Sequence, residues 1–224
     1  MYSPLLKMSK AITLLAALAG ALSFMTAAQA QDAAAGEKKA AMCIGCHGIK
    51  GYQASFPEVH KVPMISGQSA KYIVASLQAY KKGERKHPTM RGIATTLSDK
   101  DIADLSAFYE ASGKDVPAPA AKAPAAPTAE VQALLSKGNC LACHGEGLNK
   151  PIDASYPKLA GQHADYLYVA LKSYQIERNP KVGRGNAIMA GQVKAFTPAE
   201  LKVMANYIGS LPGDLRTVPQ SRFR

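Results

Sequence analysis

The chain contains no tryptophan and only four cysteines among its 224 residues. Those cysteines lie in two pentapeptides, so no thiol remains for any other role. No segment alternates apolar and polar residues for long enough to favour a sheet, which predicts an all-α fold. The one extended apolar stretch, Ala11 to Met25, has fifteen residues. It is shorter than the roughly 20 residues that a helix needs to cross a bilayer.

This apolar stretch lies in a segment typical of a secretory signal peptide. Lys7 and Lys10 precede it, and Ala28-Gln29-Ala30 follows it as a small-x-small cleavage site. We therefore predict a signal peptide over residues 1–30, cleavage near Ala30, and export to the periplasm. An uncleaved N-terminal anchor is the alternative.

Acidic residues are few relative to basic ones. After removal of residues 1–30, 25 Lys plus Arg stand against 16 Asp plus Glu, a formal charge of +9. A basic surface indicates an acidic protein partner, a membrane surface or nucleic acid. Nucleic acid is the weakest of the three, because the chain is predicted to be exported and has no Trp-rich or Arg-rich binding stripe.

The two pentapeptides are copies of C-x-x-C-H, the sequence at which haem is covalently attached. They are Cys43-Ile44-Gly45-Cys46-His47 and Cys140-Leu141-Ala142-Cys143-His144. Two cysteines three positions apart can each bond to one vinyl group of the same porphyrin, and the adjacent histidine then faces the iron. We predict two covalently bound haem c groups, held by the four cysteines, with His47 and His144 as iron ligands.

Three other interpretations of the cysteine pairs are weaker. A zinc site needs a fourth ligand, a thioredoxin-type pair needs a βαβ context, and a structural disulfide gives no reason for the histidine. The flanking segments are rich in alanine and predicted to be helical, and the histidine follows directly both times.

The chain repeats itself once. Landmarks recur in the same order at shifts of 94 to 99 residues: Cys43 with Cys140, Gly67-Gln68 with Gly161-Gln162, Met90 with Met189, and Leu105 with Met204. A Pro/Ala-rich segment separates the copies and favours an extended spacer. We predict an N-terminal domain over 31–113, a linker over 114–128 and a C-terminal domain over 129–224.

Each copy is predicted to consist of helices joined by long loops. Amphipathic periodicity predicts middle helices over about 69–82 and 164–175. The last helices have capping signals, Ser98 with Asp101 and Thr197 with Glu200. A domain of about 80 residues buries a thin core, so we expect the haem-free domains to fold poorly.

Methionine sulfur or a second imidazole could complete the coordination of each iron. Met90 and Met189 are the methionines that match in the repeat, and we predict that both are axial ligands, in the loop before the last helix. Met42, Met64 and Met204 are interpreted as core residues. His60, His87 and His163 are interpreted as surface or loop histidines, with His87 the main rival to Met90.

Together these motifs resemble the dihaem cytochromes c of the cytochrome c4 type. Each C-x-x-C-H copy is followed by Pro-x-(Ile/Leu)-(Ser/Ala)-Gly-Gln, a helix with tyrosines, a methionine and a capped last helix. The resemblance implies two class I cytochrome c domains with their haem edges facing across a pseudo-two-fold axis. It also implies the ligand pairs His47 with Met90 and His144 with Met189. The long linker puts the tightness of domain contact in doubt.

Six-coordinate irons leave no open site, which predicts an electron carrier rather than an enzyme, with no small-molecule substrate. By analogy with the family, the partners are a cytochrome bc complex and a membrane-bound terminal oxidase or reductase. The main alternative is a dihaem subunit of a dehydrogenase of the flavocytochrome type. A dihaem peroxidase or a haem sensor is less favoured.

Basic residues cluster around both predicted methionine ligands. They are Lys81, Lys82, Arg85, Lys86 and Arg91 near Met90, and Arg178, Lys181 and Arg184 before Met189. They could steer an acidic redox partner towards the haem edge. A merely solvated charged face is the alternative.

Overall fold

The computed structural model describes residues 31–117 and 126–219. The predicted signal segment and residues 118–125 of the predicted linker lie outside these ranges. The N-terminal half contains the helices α1 (Ala33–Lys39), α2 (Ala41–His47), α3 (Ala70–Lys82), α4 (Pro88–Thr95) and α5 (Asp99–Ala111). The C-terminal half contains α6 (Ala129–Lys137), α7 (Cys140–His144), α8 (Ala164–Gln175), α9 (Ala187–Val193) and α10 (Pro198–Ser210).

The strands of the described ranges are two residues long. They are β1 (Gln53–Ala54), β2 (His60–Lys61), β3 (Arg85–Lys86) and β4 (Gly183–Arg184). β1 pairs with β2, and β3 of the N-terminal half pairs antiparallel with β4 of the C-terminal half. The predicted all-α class is therefore confirmed, with short strand pairs as local additions. Within the described ranges, no helix is both long and apolar enough to cross a membrane.

Local sequence signals account for the helix boundaries. The middle helices α3 and α8 lie where the amphipathic periodicity predicts them, and Gly83 ends α3 with a left-handed φ of 77°. Both last helices, α5 and α10, begin with a complete capping box. Ser98 and Thr197 accept from the backbone of Asp101 and Glu200, whose carboxylates accept in return.

Each half has its own small hydrophobic core. The N-terminal cluster is Ala40, Ile44, Ile73, Leu105 and Tyr109. The C-terminal cluster is larger: Val131, Leu134, Leu135, Leu148, Leu167, Val193, Phe196, Leu201, Met204, Ala205 and Ile208. Met204 is a core residue, as predicted. Met42 is not, because 55% of it is exposed.

Helices α1 and α5 pack closely at Gly36, where a Cβ atom would overlap the backbone of Asp104. The buried Asp104 carboxylate is bound by Lys100 and Lys39, which hold its pKa well below the usual range. This contact joins the two ends of the N-terminal half.

The two halves are in close contact, which settles the doubt that the long linker raised. Lys61 of β2 donates to Asp165 through both its backbone N–H, at 3.1 Å, and its Nζ, at 3.0 Å. The C-terminal segment returns to the N-terminal half, where the N–H of Arg216 donates to the carbonyl of Ser66 at 2.9 Å. The described residues of both halves, 31–117 and 126–219, accordingly belong to one compact unit.

Candidate haem site

The two C-x-x-C-H motifs form the short helices α2 and α7. In a helix, residues three positions apart lie on one face, so Cys43 and Cys46 share a face, as do Cys140 and Cys143. All four thiols are free and half-buried. The adjacent histidine completes each helix, and a glycine follows it at once.

Each of these histidines is oriented by a proline carbonyl. His47 Nδ1 lies 2.8 Å from the carbonyl oxygen of Pro63, and His144 Nδ1 lies 3.0 Å from that of Pro157. A carbonyl only accepts hydrogen bonds, so Nδ1 carries the proton and Nε2 keeps its lone pair. Burial lowers the pKa of both histidines and so favours the neutral form, which is the form that binds a metal.

Met90 and Met189 lie in the helices α4 and α9, so the prediction of a loop is wrong at both positions. The reason is a pair of local caps. His87 Nδ1 accepts from the N–H of Met90 at 3.4 Å, and Asn186 Oδ1 accepts from that of Met189 at 2.9 Å. His87 and Asn186 also match at the shift of 99 residues, and they occupy the same capping position in the two halves.

One continuous cavity of about 590 Å³ extends through both halves. Its lining includes all eight predicted site residues: Cys43, Cys46, His47, Met90, Cys140, Cys143, His144 and Met189. Most of the remaining wall is apolar or aromatic, as in pockets that hold large cofactors. The structure therefore brings together, around one space, two sets of residues that are about 97 positions apart in sequence.

Two arginines line this cavity where the halves meet. Arg85 Nη2 donates to Tyr166 Oη at 2.7 Å, and Arg184 Nη2 donates to the same oxygen at 3.0 Å. Each guanidinium also lies over a tyrosine ring of its own half, Arg85 over Tyr80 and Arg184 over Tyr174. Burial raises the pKa of Tyr166, but the two guanidinium groups, Arg184 more than Arg85, lower it to about 8.

The interpretation of Arg85 and Arg184 as surface steering charges is therefore wrong. Their backbones pair across β3 and β4, and this pairing directs both side chains inward. The repeat carried a signal for this role, since Arg85 and Arg184 match at the shift of 99 residues that also relates Met90 to Met189.

His60 also differs from its prediction as a surface or loop histidine. It belongs to β2, is only 5% exposed, and its Nδ1 lies 2.8 Å from the carbonyl oxygen of Glu58. Its ring centroid is 6.2 Å from that of Tyr166. His60 is thus part of the contact between the halves.

Both halves match the family model for cytochrome c, over residues 33–111 and 128–212. The chain belongs to the cytochrome c family. A cytochrome c4 of Azotobacter vinelandii is 32% identical over 197 residues, which cover 81% of this chain and 90% of that protein. The chain is thus a dihaem cytochrome c of the cytochrome c4 type, as the resemblance of its motifs implied.

Further relatives agree with this assignment. The cytochrome c4 structure of Acidithiobacillus ferrooxidans matches with a TM-score of 0.58 at 26% identity, over 77% of this chain and 99% of that chain. A protein named thiosulfate dehydrogenase electron acceptor, from Stutzerimonas stutzeri, is 29% identical over 208 residues, covering 87% of this chain and 94% of that protein. The family and its relatives indicate electron transfer through two covalently bound haem c groups.

The residues of this dihaem cytochrome fit the anionic side of haem as well as its apolar ring. Arg85 Nε is buried and has no hydrogen-bond partner within the described ranges. Such a donor costs free energy unless a ligand satisfies it. The haem propionates supply carboxylates that two adjacent guanidinium groups can bind.

Proposed function

We propose that this chain is a periplasmic carrier of single electrons with two six-coordinate haem irons. His47 and Met90 would ligate one iron and His144 and Met189 the other, with thioether bonds from Cys43, Cys46, Cys140 and Cys143. The observation that carries the proposal is the lining of one cavity by all eight of these residues.

When bound, haem supplies a reversible one-electron couple. The chain's own residues hold the ring and set its potential. Pro63 and Pro157 fix the imidazoles through Nδ1, which leaves Nε2 for iron. The caps at His87 and Asn186 fix the first turn of each helix that carries a methionine. With both axial positions filled, no position is open for a substrate or peroxide.

The reduced holoprotein is therefore expected not to bind carbon monoxide at either haem. A photometric titration of the reduced protein with the gas tests this. Met189→Ala provides the matched control, because opening one axial position should allow one equivalent to bind. Stoichiometric binding to the unaltered protein would contradict the proposal and favour the dihaem peroxidase.

The proposed respiratory partners are a quinol-oxidising cytochrome bc complex as donor and a membrane-bound terminal oxidase or reductase as acceptor. The second candidate is the electron acceptor of a dehydrogenase. It is favoured by the relative named thiosulfate dehydrogenase electron acceptor, which is similar over 87% of this chain. A dihaem subunit of the flavocytochrome type is another form of this second candidate, and co-purification of a flavin subunit would indicate it.

With Arg85 and Arg184 directed inward, other cations near the methionine helices remain available to steer an acidic partner. Lys82 and Arg91 are exposed in the N-terminal half, and Arg178 and Lys181 in the C-terminal half. Electrostatic steering raises association rates by about 10 to 10³-fold and weakens with ionic strength.

We expect bimolecular electron transfer from the true donor to slow as salt rises. The double variant Arg178→Glu with Lys181→Glu is expected to slow it by roughly tenfold if the partner docks on the C-terminal half. Lys82→Glu with Arg91→Glu is the matched variant for the other half. Stopped-flow measurements with the cytochrome bc complex and with a thiosulfate dehydrogenase distinguish the two candidates. Rates independent of salt and of both variants would contradict steering.

A further inference from the structure

Two buried glutamines, one in each half, make equivalent hydrogen bonds to the opposite half. Gln68 is 4% exposed and Gln162 is 5% exposed, and each follows a glycine with positive φ. Gln162 Nε2 donates to the carbonyl of Met64 at 2.8 Å, and its Oε1 accepts from the N–H of Met64 at 3.0 Å. Gln68 makes the same pair of bonds, both at 3.0 Å, to Lys158 of the opposite half.

The amide orientation of each glutamine is fixed by its surroundings. Gln68 Oε1 also accepts from the N–H of Ser69, and Gln162 Oε1 from that of His163, both at 3.0 Å. Each oxygen thus accepts two N–H groups, while each nitrogen donates to a carbonyl. If the amide were flipped, its NH₂ group would face the two N–H donors and its oxygen would face the carbonyl. Only one orientation therefore satisfies these groups.

These bonds end on the peptide groups that orient the iron-binding histidines. The N–H of Met64 and the C=O of Pro63 belong to one planar peptide group, and that C=O accepts from His47 Nδ1. Gln162 is therefore linked to His47 through a single peptide. The N–H of Lys158 and the C=O of Pro157 form the equivalent link from Gln68 to His144.

A chain of hydrogen bonds through one peptide is cooperative. When the N–H of a peptide donates a hydrogen bond, the C=O of the same peptide is polarised and becomes a better acceptor, by about 10–30% per bond. A stronger acceptor at Nδ1 makes the imidazole a stronger donor to iron, which stabilises the ferric state. Each link crosses from one half to the other, so it acts on the iron of the opposite half.

We propose that Gln162 is a positioning residue that lowers the reduction potential of the haem bound by His47, and that Gln68 does the same for the haem bound by His144. Each domain thereby adjusts the iron of the other. This inference rests on His47 and His144 as iron ligands, which is part of the proposed function.

The test is a redox titration of the dihaem holoprotein followed by NMR, in which shifted haem methyl signals separate the two haems. We expect Gln162→Leu to raise the potential of the His47 haem, changing its one-electron equilibrium constant by roughly three- to tenfold, where tenfold is 59 mV. The His144 haem should keep its potential. Gln68→Leu should give the mirror result.

The controls separate this effect from a general loosening. Gln175 donates to the carbonyls of Val193 and Phe196 within its own half, so Gln175→Leu should leave the His47 haem unchanged. If Gln162→Leu yields no dihaem protein, Gln162→Met, of similar length, replaces it.

Equal shifts of both haems, a shift confined to the variant's own half, or no shift would each overturn the inference. The optical spectrum of each variant shows whether both irons remain six-coordinate. A six-coordinate spectrum with unchanged potentials rejects the cross-domain link and leaves the carrier function standing. A histidine found not to be an iron ligand rejects the ligation itself.

Discussion

The double variant Cys43→Ala with Cys46→Ala is expected to carry one haem and to lose most of the helical structure of its N-terminal half. That half has a cluster of five buried residues, of which Ile73, Leu105 and Tyr109 line the cavity. Burial of several hundred Å² of porphyrin stabilises by about 5–10 kcal/mol at roughly 25 cal/mol per Å². This is comparable to the whole stability of a small domain, so the cluster alone should not hold the fold.

The matched variant Cys140→Ala with Cys143→Ala should be milder, because the C-terminal cluster contains eleven buried residues. Mass spectrometry gives the number of haems, and circular dichroism with thermal unfolding gives the loss of structure. Retention of full helicity and an unchanged melting temperature in the first variant would contradict the expectation.

Met90→Ala and Met189→Ala are each expected to lower the potential of one haem by about 0.1–0.3 V. Thioether ligation raises the haem potential, and the choice of axial ligands changes haem potentials over a range of roughly 0.8 V. The optical spectrum of the same haem should lose its low-spin six-coordinate character. A redox titration of the purified holoprotein, followed optically, measures both effects.

Met42→Ala is the matched control for these two variants, because Met42 lies beside Cys43 but is 55% exposed. It should leave both potentials and both spectra unchanged. If Met90→Ala or Met189→Ala leaves potential and spectrum untouched, that methionine is not a ligand, and another side chain completes the coordination of that iron.

The contact between the halves should affect the redox properties of both haems. The paired arginines, Tyr166 and the two glutamines all lie where the halves meet, and they reach the cavity or the peptides beside it. Changes at this contact should therefore alter redox properties as well as stability. Two separate cytochrome domains on a flexible linker would lack this coupling.

Several features of the chain were decided by short-range chemistry and could be predicted from the sequence. The C-x-x-C-H motifs specify thioether attachment through covalent spacing alone. The capping boxes at Ser98 and Thr197 act over three residues, so the starts of both last helices were predicted correctly. The helical repeat likewise followed from periodicity and from the order of landmarks.

The features that only the tertiary structure decided depend on contacts between groups that are far apart in the chain. A basic residue has the same sequence signature on a surface as inside a cavity, so the inward direction of Arg85 became apparent only from the pairing of β3 with β4. The buried position of His60 beside Tyr166 depends on a contact between residues 106 positions apart, and the glutamine links join residues 90 and 98 positions apart. No local pattern encodes such contacts, because they form only when the two halves pack against each other.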